Sequence, residues 1–444
     1  MHNDAAIAIF GMSSLTVAAV LFVTTYAVIV TEKINRAIVA LIGAGLMIAL
    51  GVLNQEAAIR GIDFNTLGLL TGMMVIVAIS RKSGVFQFIA VWSSKKARAR
   101  PWGILIMLTL VTALFSALLD NVTTVLLIAP VTLLITEELE VTPYPFLFSE
   151  IFASNIGGSA TLIGDPPNIM IGSAVKLSFN DFLFNMAPIT PLILLVTLVV
   201  IYLIWGRHMT TSDKAIARVM SFNERDAITD VKLLKRSLLV ISLVILGFVF
   251  AHPLGLEPAT IAMGGAALLM LLTNIGESAE DQSQNVHKGF SEVEWVTIFF
   301  FIGLFILVHG LEHVGLLEML ANKILALTGG DMTNTALTVL WVSALFSAIV
   351  DNIPFVATMI PLIESMAPTF GGAENLLPLW WSLALGACLG GNGSLVGASA
   401  NLIVAGIAER SGQRIHFLTF MMMAFPLMLL SIVIASVYVY LRYL

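Results

Sequence analysis

The chain alternates long apolar stretches with short polar connections along its whole length. About 20 consecutive apolar residues are needed for a helix to cross a lipid bilayer. Such stretches lie in the first half near residues 13–30, 34–53, 64–80, 103–119, 122–136, 145–175 and 188–206. In the second half they lie near residues 237–254, 258–273, 293–310, 336–350, 353–366, 378–408 and 416–441. The pattern therefore predicts an all-α polytopic membrane protein.

Two of the apolar stretches are interrupted by small and polar residues. The first interruption is Ser154–Met170, with the sequence SNIGGSATLIGDPPNIM, and the second is Leu389–Leu402, with the sequence LGGNGSLVGASANL. Non-helical chain at membrane depth persists only where it is buried in protein or lines a water-filled cavity. A broken membrane helix of this kind often forms the binding site of a transporter. We therefore expect a binding site at these two interruptions.

The two halves of the chain repeat each other. A shift of 231 positions carries FSALLDNV, at Phe115–Val122, onto FSAIVDNI, at Phe346–Ile353. A shift of 233 positions carries Gly157, Gly158, Gly164 and Asn168 onto Gly390, Gly391, Gly397 and Asn401. Self-similarity at a fixed spacing indicates an internal duplication. We expect a first repeat at residues 1–206, a cytoplasmic linker at 207–236 and a second repeat at 237–444.

The distribution of basic residues predicts how the repeats are oriented. If the two stretches around the Asp-Asn pairs are re-entrant hairpins, each half has about five crossings, and an odd number makes the repeats inverted. With the N-terminus outside, all but four of the 22 Lys and Arg residues lie inside, the exceptions being Arg60, Lys176, Lys323 and Arg442. This bias agrees with the positive-inside rule. If each hairpin arm is instead counted as a full crossing, most of this charge stays on the same side, so that alternative stays open.

Composition narrows the class of protein further. Of 444 residues, 58% are hydrophobic and only 11% are charged, against about 25% charged in a soluble domain. The single cysteine, Cys388, excludes a disulfide framework and a thiolate-rich metal site. It aligns with Asn155 in the repeat, either as a small core residue or as a thiol that substrate reaches. The first apolar stretch lacks a basic flank and a cleavage site, so we expect a mature helix there.

An Asp-Asn pair stands between two apolar stretches in each half. The pairs are Asp120-Asn121, followed by Thr123 and Thr124, and Asp351-Asn352. The connections are too short to be solvated loops, and an ionisable group inside the membrane is a functional candidate by default. The alternative is that each Asp caps the helix after it. The two roles are compatible.

The interrupted stretches supply neutral hydrogen-bonding groups and flexible backbone. The expected binding residues are Asn155, Gly157, Gly158, Ser159, Thr161 and Asn168 in the first half, and Gly391, Asn392, Ser394, Ser399 and Asn401 in the second. Glycines let the backbone approach a ligand, and amide and hydroxyl side chains bind it without fixed charge. The alternative is close packing of helices through small residues.

Asp165 breaks the symmetry of the repeats, because its partner in the second half is Ala398. It predicts a single cation or proton site in one half, or a helix cap beside a proline. Another polar group lies at the end of a different span and consists of His309, Glu312 and His313. It is either a proton path or an interfacial cluster. The chain contains no HExxH or other spaced ligand set, so we expect no metal and no cofactor.

The stretch SALLDNVTTVLLIAPVT, at Ser116–Thr132, followed by SNIGGSATLIGDPPNIM, resembles the ArsB and P protein branch of the ion transporter superfamily. The GDPPN form is closest to P protein-like members. The resemblance implies a secondary transporter with inverted repeats, in which two re-entrant hairpins and two unwound helices surround a midplane site. By similarity, Asp120, Asn121, Thr123 and Thr124 form one hairpin tip, and Asp351 and Asn352 form the other. Pro354 and Phe355 replace the two threonines in the second tip.

The substrate expected from this resemblance is a small inorganic solute. The related sodium-dicarboxylate branch has Ser-Asn-Thr at its tips, whereas Asp replaces that Ser here, so Coulomb repulsion disfavours a polyanion. We predict proton-coupled efflux of arsenite or antimonite, with Asp120 and Asp351 carrying protons. The alternatives are a sodium-proton antiporter, another ion transporter of the superfamily, or an ion channel. The sequence contains no pair of a nucleophile and a base of the kind that would indicate an enzyme.

The expected surroundings follow from the same reasoning. We expect a multi-pass protein of the inner or plasma membrane whose partners are the lipid bilayer, the solute and protons or sodium. A homodimer is compatible with the sequence, and nothing in it indicates a nucleic-acid partner.

Overall fold

The structure is a computed structural model that describes residues 12–31 and 33–444, and the described chain is folded into α-helices joined by short connections. The helices before the linker are α1 Ser14–Val30, α2 Arg36–Ala49, α3 Gln55–Arg60, α4 Phe64–Arg81, α5 Val85–Lys96, α6 Pro101–Leu118, α7 Asn121–Glu138, α8 Tyr144–Gly158, α9 Pro166–Val175, α10 Phe179–Asn185 and α11 Thr190–Ile204. Those from the linker onward are α12 Asp213–Ser221, α13 Val231–Val249, α14 Ala251–Leu254, α15 Pro258–Asn274, α16 Ala279–Ser291, α17 Trp295–His313, α18 Leu316–Thr328, α19 Met332–Ser347, α20 Asn352–Glu364, α21 Leu377–Gly390, α22 Ser399–Arg410 and α23 Phe417–Tyr443.

Local sequence signals define where many of these helices begin. Asn35 caps α2 by accepting the backbone N–H of Ala37 at 2.9 Å, as short polar side chains commonly do at a helix start. Gly84 and Gly315, at equivalent positions of the two halves, adopt left-handed backbone angles, with φ of 80° and 76°. A side chain is strained in that conformation. The glycines therefore permit the sharp turns that connect α4 to α5 and α17 to α18.

Several amphipathic helices were not predicted from the apolar stretches. The helices α5 and α18 are equivalent in the two halves, and α12 and α16 lie in polar connections. Helix α12 places only a few residues in the core, such as Ala215 and Val219, and the polar faces of α12 and α16 lower their average hydrophobicity. A narrow apolar face of this kind is visible as a 3.6-residue period but not as a long apolar run. Helices α5 and α18 contain only 12 and 13 residues, too few for an apolar run that crosses a bilayer.

The two halves exchange packing partners. Helix α4 of the first half packs on α15, and its repeat equivalent α17 packs on α2. In the same way α7 packs on α22, and α20 packs on α9. Within each half, α6 packs along α8 and α19 packs along α21. The halves therefore interlock and share one core.

Five described helices are long and apolar enough to cross a membrane: α4, α6, α7, α17 and α23. The pair α10 and α11, bent by 51° at its break, qualifies as a sixth crossing if it forms one span. Helices α6 and α7 each contain 18 residues, or about 27 Å. Helix α20 has only 13 residues and reaches about 20 Å, less than the hydrocarbon thickness of about 30 Å. The predicted multi-pass helical membrane protein is confirmed, and the number of crossings stays a prediction.

The segment at residues 207–236 is attached to the first half. Helix α12 packs on α5 and α7, and Arg218 donates to the Glu140 carboxylate at 2.6 Å. Lys95 at the end of α5 donates to the Glu224 carboxylate at 2.6 Å, and this hydrogen bond lowers the pKa of Glu224. These contacts attach the linker to the ends of α5 and α7.

Candidate functional site

The two helix breaks meet near the centre of the fold. The first is residues 159–165, between α8 and α9, and the second is residues 391–398, between α21 and α22. A break frees backbone carbonyls, which need hydrogen-bond partners when they are buried. Asn168 donates its amide to the carbonyl of Thr161 at 2.9 Å, and Asn401 donates to those of Gly391 and Ser394 at 2.7 and 2.8 Å. Each break is therefore held by the equivalent asparagine of its own half.

A third asparagine joins the two breaks. The amide nitrogen of Asn155 donates to the side-chain oxygens of Asn392 and Asn401, at 3.0 Å each. Its oxygen accepts the amide of Asn121 at 3.3 Å. All four side chains are at least 97% buried. Helices α6 and α7 form one helical hairpin with its tip at Asp120-Asn121, and α19 and α20 form the other with its tip at Asp351-Asn352. Asn155 therefore connects the first hairpin tip to the second broken helix.

Asp165 lies where both hairpin tips converge. Its fully buried carboxylate accepts the amide of Asn121 at 3.1 Å and that of Asn352 at 3.4 Å. The residue stands at the start of α9, but its side chain makes no capping hydrogen bond. None of the ion pairs in the described chain includes it. The carboxylate is therefore directed at the tips rather than at its own helix.

The aspartates of the two tips have different partners. Asp120 accepts the backbone N–H and the hydroxyl of Thr123, at 2.7 and 2.5 Å. Asp351 accepts the N–H of Ile353 at 3.1 Å and pairs with Arg36 at 2.7 Å. Both aspartates therefore cap the helix that follows, as the capping interpretation expects, and the second is also neutralised by a cation.

Arg36 was not predicted as a site residue, because it was counted only among the basic residues of an inside loop. Its guanidinium also donates to Ser399 at 2.7 Å, and Ser399 donates to Asp351 at 2.7 Å. Arg36 is the first residue of α2, where the helix dipole disfavours a positive charge. That unfavourable position is the signal in the sequence that indicates a negatively charged partner.

Three predicted hydroxyl groups stabilise backbone within their own half. Ser159, Thr161 and Ser394 donate to the carbonyls of Ile156, Ala117 and Ala348, at 2.8, 2.5 and 2.6 Å. The predicted glycines pack against backbone: Gly157 against Ala113, Gly158 against Gly164, and Gly391 against Gly397. These contacts hold the first break against α6 and the second against the end of α19, and they close each break on itself.

Some buried polar atoms around the breaks have no hydrogen-bond partner in the described part of the chain. They are Oδ1 of Asn121, Oγ1 of Thr124 and Nδ2 of Asn392. Buried polar groups are normally paired, so such exceptions indicate a functional role or strain. Cys388 is fully buried, with its Sγ atom 3.5 Å from Oδ1 of Asn168. The thiol therefore also belongs to the polar centre.

Two cavities lie along α22 and α9, the helices that follow the two breaks, and their linings are related by the repeat. One, of about 540 Å³, includes Glu294, Asp351, Ser399 and Arg410 together with Arg36. The other, of about 320 Å³, is lined by Asp63, the repeat equivalent of Glu294, and by Ala357, the equivalent of Leu126 in the first cavity. It also contains the predicted polar group, in which His309 is 3.0 Å from Glu312.

Breaking the pair between Arg36 and Asp351 is expected to destabilise the protein. Either Arg36→Gln or Asp351→Asn leaves a half-buried charge without its partner, which costs about 1–3 kcal/mol. The double variant is expected to recover part of this loss, because no unpaired charge remains. Thermal unfolding of the four proteins in detergent measures the coupling. Additive losses in the double variant would show that the pair contributes nothing.

Comparison with known proteins agrees with this architecture. The CitMHS family model, described as citrate transporter, matches residues 26–386. An uncharacterized transporter of Mycobacterium tuberculosis is 43% identical over 432 residues, covering 96% of this chain and 98% of the relative. The P protein of Mus musculus is 34% identical over 494 residues, covering 93% of this chain and 58% of that protein. The predicted resemblance to P proteins is confirmed, and the ArsB branch stays a prediction.

Two solved transporters share the fold. The YdaH transporter of Alcanivorax borkumensis has a TM-score of 0.61 at 14% identity, covering 96% of this chain and 98% of that one. MtrF of Neisseria gonorrhoeae, described within a class of antimetabolite efflux pumps, has a TM-score of 0.59 at 11% identity, covering 97% and 95%. These likenesses show the fold, and the family match shows the class of protein. The chain is a multi-pass membrane transporter, not an enzyme, and it belongs to the CitMHS citrate transporter family.

Proposed function

We propose that the protein is a proton-coupled secondary transporter that moves a small solute out of the cell. The observation that carries this proposal is the position of Asp165, which accepts an amide from each hairpin tip. A single carboxylate that contacts both tips can couple its own charge to the arrangement of both halves. In this proposal the repeats at 1–206 and 237–444 are inverted, and the segment 207–236 is a cytoplasmic linker.

Alternating access is supported by the two cavities. With the N-terminus outside, the larger cavity opens to the cytoplasm and the smaller one to the exterior. Transporters built from repeats expose a central site alternately, as one unit moves against the other. The central asparagines and the two tips form the proposed binding residues, and the predicted glycines let the broken helices pack closely around them.

Asp165 is a better proton carrier than Asp351. The sequence predicted Asp120 and Asp351 for this role, but Arg36 neutralises Asp351 at 2.7 Å. Among the described residues, the hydrogen-bond partners of the Asp165 carboxylate are neutral: the amides of Asn121 and Asn352 and the thiol of Cys388. A buried carboxylate without a cation is costly to keep charged. We therefore assign proton exchange to Asp165 and Asp120, and a positioning role to Asp351.

The leading substrate is arsenite or antimonite in its neutral hydroxyl form. The central site offers amide donors and acceptors with little net charge. Unpaired atoms of both kinds are available there: Oδ1 of Asn121 and Oγ1 of Thr124 can accept, and Nδ2 of Asn392 can donate. A small molecule that carries several hydroxyl groups can satisfy all three.

A carboxylate such as citrate is the second candidate. The family description names citrate, and the larger cavity contains two arginines, Arg36 and Arg410. The argument against a polyanion rests on the negative charges of Asp120 and Asp351 at the two tips, and Arg36 neutralises that of Asp351. Guanidinium groups bind carboxylates through paired hydrogen bonds.

Flux into everted membrane vesicles tests the function. We expect uptake of arsenite against its gradient, driven by a pH gradient and abolished by a protonophore. Parallel vesicles receive citrate or sodium, and vesicles without the protein are the control. Citrate uptake without arsenite uptake selects the second candidate, and proton release driven by sodium alone selects sodium-proton exchange. Flux that only runs downhill, with or without the protonophore, indicates a channel and excludes the proposal.

A further inference from the structure

Glu150 is a buried carboxylic acid outside the central site. It lies in α8, five residues before Asn155, which is about 7.5 Å along the helix. The side chain is fully buried, and the hydroxyl of Thr132 on α7 donates to its Oε1 atom. Its Oε2 atom has no partner in the described residues. Half of the carboxyl group is therefore free to bind a proton.

Within residues 12–31 and 33–444, no basic side chain forms a hydrogen bond or ion pair with Glu150. Helices α6, α7, α11, α21 and α22 pack on α8, and α23 contacts it through Phe420. The titratable side chains of these helices and of α8 itself are Glu137, Glu138, Tyr144, Tyr202, Cys388, Glu409, Arg410, Tyr438, Tyr440, Arg442 and Tyr443. None of them forms a hydrogen bond or ion pair with Glu150 in the described structure. A buried carboxylate that lacks such a partner costs several kcal/mol unless it is protonated.

Comparison of the two repeats separates buried polar groups that occur in both halves from those found only in the first half, which we call the added groups. Three buried hydroxyl positions occur in both halves: Thr112 with Ser343, Ser116 with Ser347, and Ser149 with Ser382. Several buried polar residues along α7 and α8 have apolar equivalents in the second half; among them, Glu150, Thr132, Thr136 and Thr124 align with Leu383, Ile363, Ala367 and Phe355. The second half packs without these groups. Packing therefore does not explain them.

The added groups lie between one end of α7 and the central carboxylate. Thr136 is near the last turn of α7, Thr132 is one turn further in, and Thr124 is close to the tip. Glu150 receives the hydrogen bond of Thr132. All of them belong to the half that also contributes Asp165. Their order matches a route from the α7 end to the polar centre.

We propose that Glu150 is a relay that binds a proton and passes it between the cytoplasmic end of α7 and Asp165. The proposal rests on the proton coupling described above and adds a residue and a route to it. In each step Glu150 gains one proton on its free oxygen and releases one, with Thr132 fixing the other oxygen. No electrons move, and the charge that Asp165 gains or loses is matched by a proton from the aqueous side.

Two variants distinguish a relay from a structural residue. Glu150→Gln keeps the shape and the acceptor for Thr132, and Glu150→Leu reproduces the equivalent position of the second half. Ser149→Ala, at a buried hydroxyl found in both halves, is the matched control. Proton flux in reconstituted vesicles is expected to slow about tenfold or more in both Glu150 variants, a modest loss for a positioned proton-transfer group. Substrate counterflow, which needs no net proton transfer, is expected to stay within about twofold, and Ser149→Ala to leave both unchanged.

Infrared spectroscopy of the purified protein in lipid gives a readout that does not depend on transport. The carbonyl stretch of a protonated carboxylic acid is expected in the wild-type protein and in Asp165→Asn, and its Glu150 component is expected to be absent from Glu150→Gln. Equal loss of counterflow and proton flux in the Glu150 variants would overturn the relay and indicate a structural role. A carbonyl band that is the same in Glu150→Gln as in the wild-type protein would overturn it too, because Glu150 would then hold no proton. A third outcome is a wild-type protein that shows the Glu150 band but no proton flux. It would refute the proposed proton coupling and the relay that rests on it, and would still identify Glu150 as a proton-binding group.

Discussion

Proton-driven transport by the Asp165→Asn variant is expected to fall about 100-fold or more, the scale on which positioned proton-transfer groups act. Asparagine has nearly the same shape as aspartate and still offers an oxygen to the amides of Asn121 and Asn352. It cannot take up or release a proton at pH values where the protein is folded. The loss is therefore expected in net proton-coupled flux, measured as uptake into everted vesicles under a pH gradient.

Stability separates this effect from misfolding. Removing a buried charge that lacks a cationic partner is expected to leave the thermal unfolding temperature of the variant unchanged or higher. Asp181→Asn, in the capping box of α10, is a control carboxylate remote from the polar centre, and its flux is expected to match that of the wild-type protein. Unchanged coupling in Asp165→Ala would show that Asp165 only marks the start of α9.

Replacing Gly157 or Gly390 by alanine is expected to prevent stable folding. A Cβ atom on Gly157 would overlap the backbone of Ala113, and one on Gly390 would overlap that of Ala344. These are equivalent contacts of the two halves, where α8 crosses α6 and α21 crosses α19. Backbone atoms cannot rotate away, so each substitution is expected to cost about 3 kcal/mol or more. Gel filtration and thermal unfolding of the detergent-solubilised protein measure the loss.

Gly45→Ala is the matched control for this experiment. Gly45 also lies inside an apolar helix, α2, but a Cβ atom there meets no neighbour within 4 Å. Alanine favours helix over glycine by up to about 1 kcal/mol, so this variant is expected to be as stable as the parent or slightly more stable. Normal stability of Gly157→Ala would mean that α6 and α8 separate without cost and that the close crossing is dispensable.

Local patterns predicted the elements of this fold because membrane burial leaves a strong signal. Long apolar runs located the main helices, and the Gly-rich and Pro-rich interruptions located both breaks. The repeat carried the interpretation from Asp120-Asn121 to Asp351-Asn352. The amphipathic helices were missed because they are short or because their narrow apolar faces do not raise the average hydrophobicity.

The pairings inside the site were harder to predict, because they join residues that are distant in the chain. Arg36 and Asp351 are separated by 315 positions, and a basic residue beside a short connection reads as an ordinary loop charge. Glu150 sits within an apolar stretch whose overall character hides one carboxyl group. The asymmetry of Asp165 and Ala398 was visible in the sequence, but its convergence with both tips depends on the packing of α9 against α20.

The exchanged packing of the two halves constrains how the chain arose. Helix α4 lies against α15 and α17 lies against α2, so a single repeat on its own would expose the faces that it now buries in the other half. A half-length ancestor would therefore have needed a second copy of itself, and every site residue would have occurred twice. Two copies joined in one chain, by contrast, are free to differ. One aspartate opposite one alanine, and one glutamate opposite one leucine, are differences that a symmetric pair of identical subunits cannot encode.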